Sequence, residues 1–465
     1  MKKYNKTKKI STLFTICLFV LMSTLDSSIV NIALPSISKH FDISQSQASF
    51  IVSSYLLTIC ISLLPFGRLG DIYGKSNIYK TGGVIFLAGS LFCGISSSLV
   101  ILVLSRIIQA LGSGMIMSNS NGIITEVFPP NERGRALGIV GTFVSIGGIA
   151  GPGLGGLILN YLSWHYIFLI NLPVGIIAII LSYLLLPHHD SQKTPDNKLD
   201  YKGSALFSIT IISLYFFITS LEKISIISLI SLLLAILGLF LFIKIEKTSS
   251  YPLIKLNIFH NRLFSSSLLS ALLVFTSAFF YTMIAPFYLQ NIKGWTPSKA
   301  GLIMMIFPTI QIIFSPIAGI LADKYNKLIL TKVGLSLLCL GQVAYSLWGI
   351  NTSLTVIIAS IILAAFGNTL FQAPNNTITM NSVNPSDLGI AGALSALARN
   401  LGMVLGVSLS TLIMNFTVSN LAGHKVQKIT ENPHYFVSAM HLAFIISLIF
   451  CLLALFINGR KNKKS

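Results

Sequence analysis

The chain has 465 residues, of which 53% are hydrophobic and only 10% charged, whereas soluble domains carry roughly a quarter charged residues. This excludes an ordinary soluble protein and describes an all-α polytopic membrane protein. The net charge of +19 would suggest nucleic acid in a soluble chain; here its distribution is what informs, and no nucleic-acid partner is expected.

Lys2, Lys3, Lys6, Lys8 and Lys9 precede the first apolar run, and no small-residue cleavage site follows it. The run therefore reads as a retained membrane helix rather than a signal peptide. Apolar runs long enough to cross a bilayer, about 20 residues each, number fourteen: 11–34, 47–67, 78–98, 100–121, 136–158, 166–186, 203–220, 225–243, 264–289, 300–321, 330–349, 354–376, 391–414 and 438–458. With the N-terminus inside, inner segments hold 24 of the 32 Lys and Arg, outer loops hold six, and Arg106 and Arg399 lie within spans. The positive-inside rule then puts both termini in the cytoplasm. Cys17, Cys60, Cys93, Cys339 and Cys451 all fall in apolar spans without paired spacing, so no zinc or disulfide framework is expected. His188, His189 and Asp190 read as a solvated loop, leaving no metal and no cofactor predicted.

Helix 1 contains Leu25-Asp26-Ser27-Ser28-Ile29-Val30-Asn31-Ile32-Ala33-Leu34-Pro35. Asp26 is the single acidic residue deep in any span, and a charged carboxylate in hydrocarbon costs several kcal/mol, which marks it as a functional candidate. It is either a proton carrier or a permanently paired charge that fixes helix packing. Arg106, in Leu102-Val103-Leu104-Ser105-Arg106-Ile107-Ile108-Gln109-Ala110-Leu111-Gly112-Ser113-Gly114, is its expected partner. At 1.5 Å per residue, Asp26 lies about 25 Å from the inner end of helix 1 and Arg106 about 10 Å from the outer end of helix 4. Both therefore occupy the outer half of a core about 30 Å thick.

Between helices 2 and 3, Gly67-Arg68-Leu69-Gly70-Asp71-Ile72-Tyr73-Gly74-Lys75 recurs loosely as Gly319-Ile320-Leu321-Ala322-Asp323-Lys324-Tyr325-Asn326-Lys327 between helices 10 and 11. Such an internal repeat indicates two six-helix halves. The expected organisation is a tail at 1–10, bundles at 11–186 and 263–458, a linker with two extra helices at 187–262, and a basic tail at 459–465. Asp71 can accept hydrogen bonds from a helix N-terminus, and Lys75 can meet carboxylates and latch the halves; alternatively the loop merely satisfies its own charges. The stretch from Gly70 to Lys75 has three residues between its glycines, where a phosphate-binding loop needs four, so ATP is not the expected energy source.

Helix 5 carries Gly147-Gly148-Ile149-Ala150-Gly151-Pro152-Gly153-Leu154-Gly155-Gly156. Gly147, Gly151 and Gly155 share one helix face, a packing seam of small residues. With the following Trp164-His165-Tyr166-Ile167-Phe168-Leu169-Ile170-Asn171-Leu172-Pro173-Val174-Gly175, this stretch resembles the antiporter signature of the major facilitator superfamily, specifically its fourteen-helix drug:proton antiporters. The helix 1, loop and helix 4 stretches resemble three further signatures of the same group. Pro252 to Phe259, Phe287 to Gln290 and Arg399 to Gly406 match its text in the second half. The likeness spans roughly residues 10 to 460, with departures at Ala110, Asn326 and Phe50.

The resemblance implies a major facilitator fold of fourteen transmembrane helices. It implies a secondary active transporter, not an enzyme, that exchanges a small hydrophobic drug or toxic compound for protons in the bacterial cytoplasmic membrane, functional as a monomer. Asp26 and Arg106 would couple protons, Gly67, Asp71, Gly74, Lys75 and Asp323 would gate, and Gly147, Gly151, Pro152, Gly155 and Gly156 would seal and release a seam. Asn31, Tyr55, Gln109, Tyr281, Asn368, Gln372, Asn375 and Arg399 are the candidate cavity residues. Interhelical hydrogen bonding or an interfacial aromatic belt explains several of them nearly as well, and Arg399 either binds backbone carbonyls or meets an anionic group of the substrate. A transporter of one endogenous metabolite, lipid or peptide would share every motif. A non-transporting sensor gives no reason for a buried acid beside a buried arginine.

Overall fold

The computed structural model describes residues 5–186, 199–221, 225–249, 251–254, 256–384, 387–424, 426 and 428–461. His188, His189 and Asp190 lie outside the described residues. The described chain is helical, without a strand. Its helices are α1 Lys6–Phe41, α2 Gln45–Tyr73, α3 Lys75–Gly94, α4 Leu99–Val127, α5 Pro130–Tyr161, α6 Tyr166–Leu169, α7 Asn171–Leu185, α8 Tyr201–Ser220, α9 Ile226–Thr248, α10 Arg262–Phe287, α11 Pro297–Met304, α12 Ile306–Lys324, α13 Lys327–Ser346, α14 Leu354–Asn381, α15 Leu388–Ala422 and α16 Pro433–Lys461. The pairs α6/α7 and α11/α12 each form one broken passage, which leaves fourteen passages.

Thirteen helical stretches among the described residues are long and apolar enough to cross a membrane. α3 is the fourteenth passage; Lys75, Asn77 and Lys80 in its first turns lower its mean hydropathy. The perimeter inverts the pattern of a soluble protein, since large side chains such as Leu233, Ile236 and Phe240 on α9 are exposed, as a lipid-facing surface requires.

Helix starts follow from local chemistry. Ser44 and Gln47 form a reciprocal capping box on α2, and Ser98, Thr296 and Ser353 accept from backbone N–H groups at the starts of α4, α11 and α14. The α2–α3 connection turns in a single residue, Gly74, at φ +92°, a conformation open to glycine.

α1 to α7 pack among themselves and α10 to α16 likewise, with α2 against α15 and α5 against α11 joining the halves. The inserted hairpin α8/α9 sits beside that junction, since α8 touches both α2 and α15; Phe50 of α2 meets Tyr215 of α8, ring centroids 6.4 Å apart. The repeat extends beyond the loop motif. A Cβ on Gly82 or Gly112 would strike the facing backbone or Cβ across α3 and α4, and one on Gly334 or Gly367 would do the same across α13 and α14. Gly82 and Gly89 stand to Gly334 and Gly341 at the offset that separates Asp71 from Asp323. Small residues thus bring the same two helices into contact in each half.

Candidate transport site

Two sites occupy the middle of the molecule, one inside the first half and one between the halves. The first is built around Asp26, which is 0% exposed. Arg106 Nη1 donates to Asp26 Oδ2 at 2.6 Å and to Gln109 Oε1 at 2.6 Å. Gln109 Nε2 and Asn171 Nδ2 each donate to Asp26 Oδ1 at 2.8 Å. Ser90 Oγ receives Gln109 Nε2 at 2.7 Å and Asn171 Nδ2 at 3.3 Å. Arg106 Nε donates to the Ile51 carbonyl at 3.3 Å, and its guanidinium carbon lies 3.9 Å from the centroid of the Tyr55 ring. Arg106 and Gln109 converge because they stand three residues apart on α4; α1, α2, α3 and α7 supply the remaining groups. One carboxylate and one guanidinium thus neutralise each other with few open valences, the condition under which a buried pair is tolerated.

The second site is a cavity of about 360 Å³ between the halves, within the range for drug-sized ligands. Asn31, Tyr55, Tyr281, Asn368, Gln372 and Arg399 all line it, while Gln109 and Asn375 do not. Gln109 belongs to the ion-pair network, and Asn375 donates to the Ser267 carbonyl at 3.2 Å inside the second half. Asp26 is also absent from the wall. Ser23, Ser27 and Asn31 present the cavity face of α1, and Asp26 points behind it. Tyr55 touches both sites. Reading the sequence missed Asn171 as a partner of Asp26, Ser90 as the hydroxyl that receives Gln109 and Asn171, and Gln311 and Asn400 on the cavity wall. A lone Gln within apolar α12 and an Asn opening apolar α7 were the available signals.

The loop motif lies at the end of the bundle that carries the first and last described residues, the proximal end. Lys75 Nζ bridges Asp71 at 2.8 Å and Glu126 at 3.0 Å, so its described ion pairs stay within the first half. Gly67 and Gly70 face α4, where a Cβ on Gly70 would collide with Asn119. Asp323 falls in α12, and its side chain is outside the described residues.

The glycine stretch of α5 has two faces. Gly147, Gly151 and Gly155 meet α1 of the same half, where a Cβ on Gly151 would strike Ser28 and Ser28 Oγ donates to the Gly147 carbonyl at 2.9 Å. Gly153 and Gly156 instead meet the other half, at Met305 and at Pro297 and Ser298, and Gly301 abuts the Pro152 carbonyl. Two polar contacts that join the halves lie at the opposite, distal end. They are Gln290 Nε2 to the Ile32 carbonyl at 2.9 Å and Lys428 to Asp42 at 2.6 Å.

Comparison with known proteins accords with this architecture. The family model described as Major Facilitator Superfamily matches residues 16–407 and 263–465. The riboflavin transporter RibZ of Clostridioides difficile is 33% identical over 470 residues, covering 97% of this chain and 98% of its own. The multidrug resistance protein Stp of Mycobacterium tuberculosis is 28% identical over 433 residues, covering 92% of this chain and 80% of its own. A crystal structure of a bacterial homologue of the human lysosomal transporter Spinster, inward-facing and unoccupied, superposes with a TM-score of 0.69 at 17% identity, covering 98% of this chain and 97% of that one. The chain belongs to the major facilitator superfamily: it is a membrane transport protein, similar to the fourteen-helix drug antiporters, and not an enzyme.

Proposed function

We propose that the protein is a proton-coupled antiporter that exports a small, mostly hydrophobic compound across the bacterial cytoplasmic membrane by alternating access, acting as a monomer with both termini in the cytoplasm. The observation that carries this reading is the fully buried Asp26, whose one countercharge among the described residues is Arg106. Protonation of Asp26 would remove the charge that holds Arg106 and free the guanidinium to change partners. A permanently ionised pair has no such second state. With the proximal end in the cytoplasm, the conformer described is closed on the outside. The two halves would rock about the cavity, with the Gly153, Gly156 and Gly301 contacts parting as the outer side opens.

One relative supports a second reading of the cargo. The riboflavin transporter covers nearly the whole chain, so a single metabolite is the alternative to a range of drugs.

The test is substrate-induced proton movement in proteoliposomes holding a pH gradient, comparing wild type with Asp26→Asn across riboflavin, lipophilic cations, zwitterions and neutral drugs. Proton flux with some compounds, absent in the variant, is the expected outcome, and the responding compounds decide between the two cargoes. Substrate binding without proton flux in either protein would end the antiport reading.

A further inference from the structure

We infer that the cavity selects flat aromatic compounds bearing a negative charge, and that Arg399 is the residue that receives that charge. This deepens the reading above, resting on the cavity as the place where cargo binds.

Arg399 is the one charged side chain on the cavity wall among the described residues. It has no acidic partner there, and no described backbone carbonyl accepts from it. The negative charge in the neighbourhood, Asp26, is matched by Arg106 and lies behind the wall. An unmatched guanidinium at membrane depth is costly, and an anion entering the cavity relieves that cost while gaining charge-assisted, two-pronged hydrogen bonds. A cation entering the same space meets repulsion in a medium where charge is poorly screened.

The neutral lining gives the rest of the specificity. Asn368 Oδ1 accepts from Gln311 Nε2 at 3.0 Å and from Gln372 Nε2 at 2.5 Å. The two glutamine carbonyl oxygens and the Asn368 amide nitrogen have no described protein partner, which leaves both acceptors and a donor for polar ring substituents. Phe275, Phe279 and Phe307 supply aromatic faces, and Phe307 stacks on Tyr281 with centroids 5.9 Å apart. Such surfaces favour a planar frame.

Fluorescein and rhodamine 123 share a xanthene frame and differ in charge, so they isolate the term at issue. Their affinities for the purified full-length protein would be read by fluorescence anisotropy. The wild type is expected to bind fluorescein roughly tenfold or more tightly than rhodamine 123, the scale of one hydrogen bond to a charged group. Arg399→Gln should abolish that preference, and Arg399→Lys, which keeps the charge but loses the fork, should retain part of it. Gln311→Glu, which adds a carboxylate to the same wall and leaves Arg399 in place, should shift the preference toward rhodamine 123 and tests the idea if Arg399 variants fold poorly. Equal affinities in the wild type, no measurable fluorescein binding, or a preference unchanged in both Arg399→Gln and Gln311→Glu would overturn the inference. Proton movement is scored separately: a charge preference without any proton flux would defeat the antiport reading and leave this one standing.

Discussion

Replacing Asp26 by asparagine isolates what the buried carboxylate does. The new carboxamide would keep an oxygen for Gln109 and Asn171, but its nitrogen would face Arg106 Nη1, donor against donor, where a hydrogen bond of 2.6 Å now stands. Arg106 would retain Gln109 Oε1, the Ile51 carbonyl and the Tyr55 face, and would lose its countercharge. Breaking a buried pair from one side costs roughly 3–5 kcal/mol, and the cation–π contact with Tyr55, kept in both proteins, cancels in the difference. The destabilisation expected for Asp26→Asn is therefore about 3–5 kcal/mol. Arg106→Gln should cost a similar amount, because it strands the carboxylate. The double variant removes both charges and should cost at least about 2 kcal/mol less than the sum of the two, a coupling at the upper end for interacting neighbours. Reversible unfolding of the four proteins in mixed micelles measures the cycle. Additive effects within about 0.5 kcal/mol would show that the pair does not act as a unit and would refute the argument.

The two glycine faces of α5 predict different defects. Gly151→Leu drives a side chain into Ser28 of the same half and should lower the yield of folded protein. Gly156→Leu meets the Pro297 carbonyl of the other half and should fold while favouring the distally open state, read as a longer distance between spin labels across that end; equal yields with equal distances would contradict the assignment. The Asp42–Lys428 contact has a definite pH window. The hydrogen bond from Lys428 and its charge hold the Asp42 carboxyl below its usual range, and Asp42 holds the Lys428 ammonium above its own. The carboxylate's contribution is present above the ordinary Asp value of about 4 and lost as pH falls through the depressed one. The ammonium's is present below the ordinary Lys value of about 10.4 and lost as pH rises through the raised one. Distal label distances should therefore not change through this contact between about pH 5 and 9, and high salt should weaken it, since both groups are exposed; a transition near neutrality abolished by Asp42→Asn would contradict this.

Asp26 and Arg106 were legible because a charge in an apolar run is an outlier against its neighbours, and the helical rise places both at one depth. The rest of their network was not. Serine and asparagine are common in membrane helices, so Ser90 and Asn171 carry no signal until α3 and α7 are seen to close on α1. Periodicity told that Gly147, Gly151 and Gly155 share a face, and could not tell which neighbour that face meets; the partner is α1, while the off-period Gly153 and Gly156 reach the other half. Asn375 shows the same limit. It lies two turns beyond Asn368, but there α14 packs on α10, and its amide is spent on the Ser267 carbonyl. Fourteen passages were readable from length and composition, with α3 the weakest because its first turns are polar. The equivalent core of the second half is neutral: Ser277 pairs with Ser447 at 2.7 Å, and Ser447 donates to Gln342 at 2.9 Å. Gln342 stands to Ser90 at the repeat offset, so the two halves share a frame while the carboxylate belongs to one.

That asymmetry poses the question of how cargo and proton sense each other, since no atom of Asp26 lines the cavity. Tyr55 is the residue in a position to connect them: it lines the cavity, its ring lies on the Arg106 guanidinium, and its hydroxyl is 3.5 Å from Ser23 Oγ. Cargo that displaces the ring would weaken a cation–π contact of about 0.5–2 kcal/mol, which shifts an equilibrium between paired and released Arg106 by roughly two- to thirtyfold. Tyr55→Phe keeps the ring and should preserve coupling. Tyr55→Leu keeps apolar volume without the ring and should leave cargo transport running down its own gradient while lowering the number of protons moved per molecule. Simultaneous measurement of cargo and proton flux in proteoliposomes gives that ratio directly. A ratio unchanged in Tyr55→Leu would mean that the signal passes instead through the α1 backbone, where Ser23 and Ser27 face the cavity and Asp26 faces away from it.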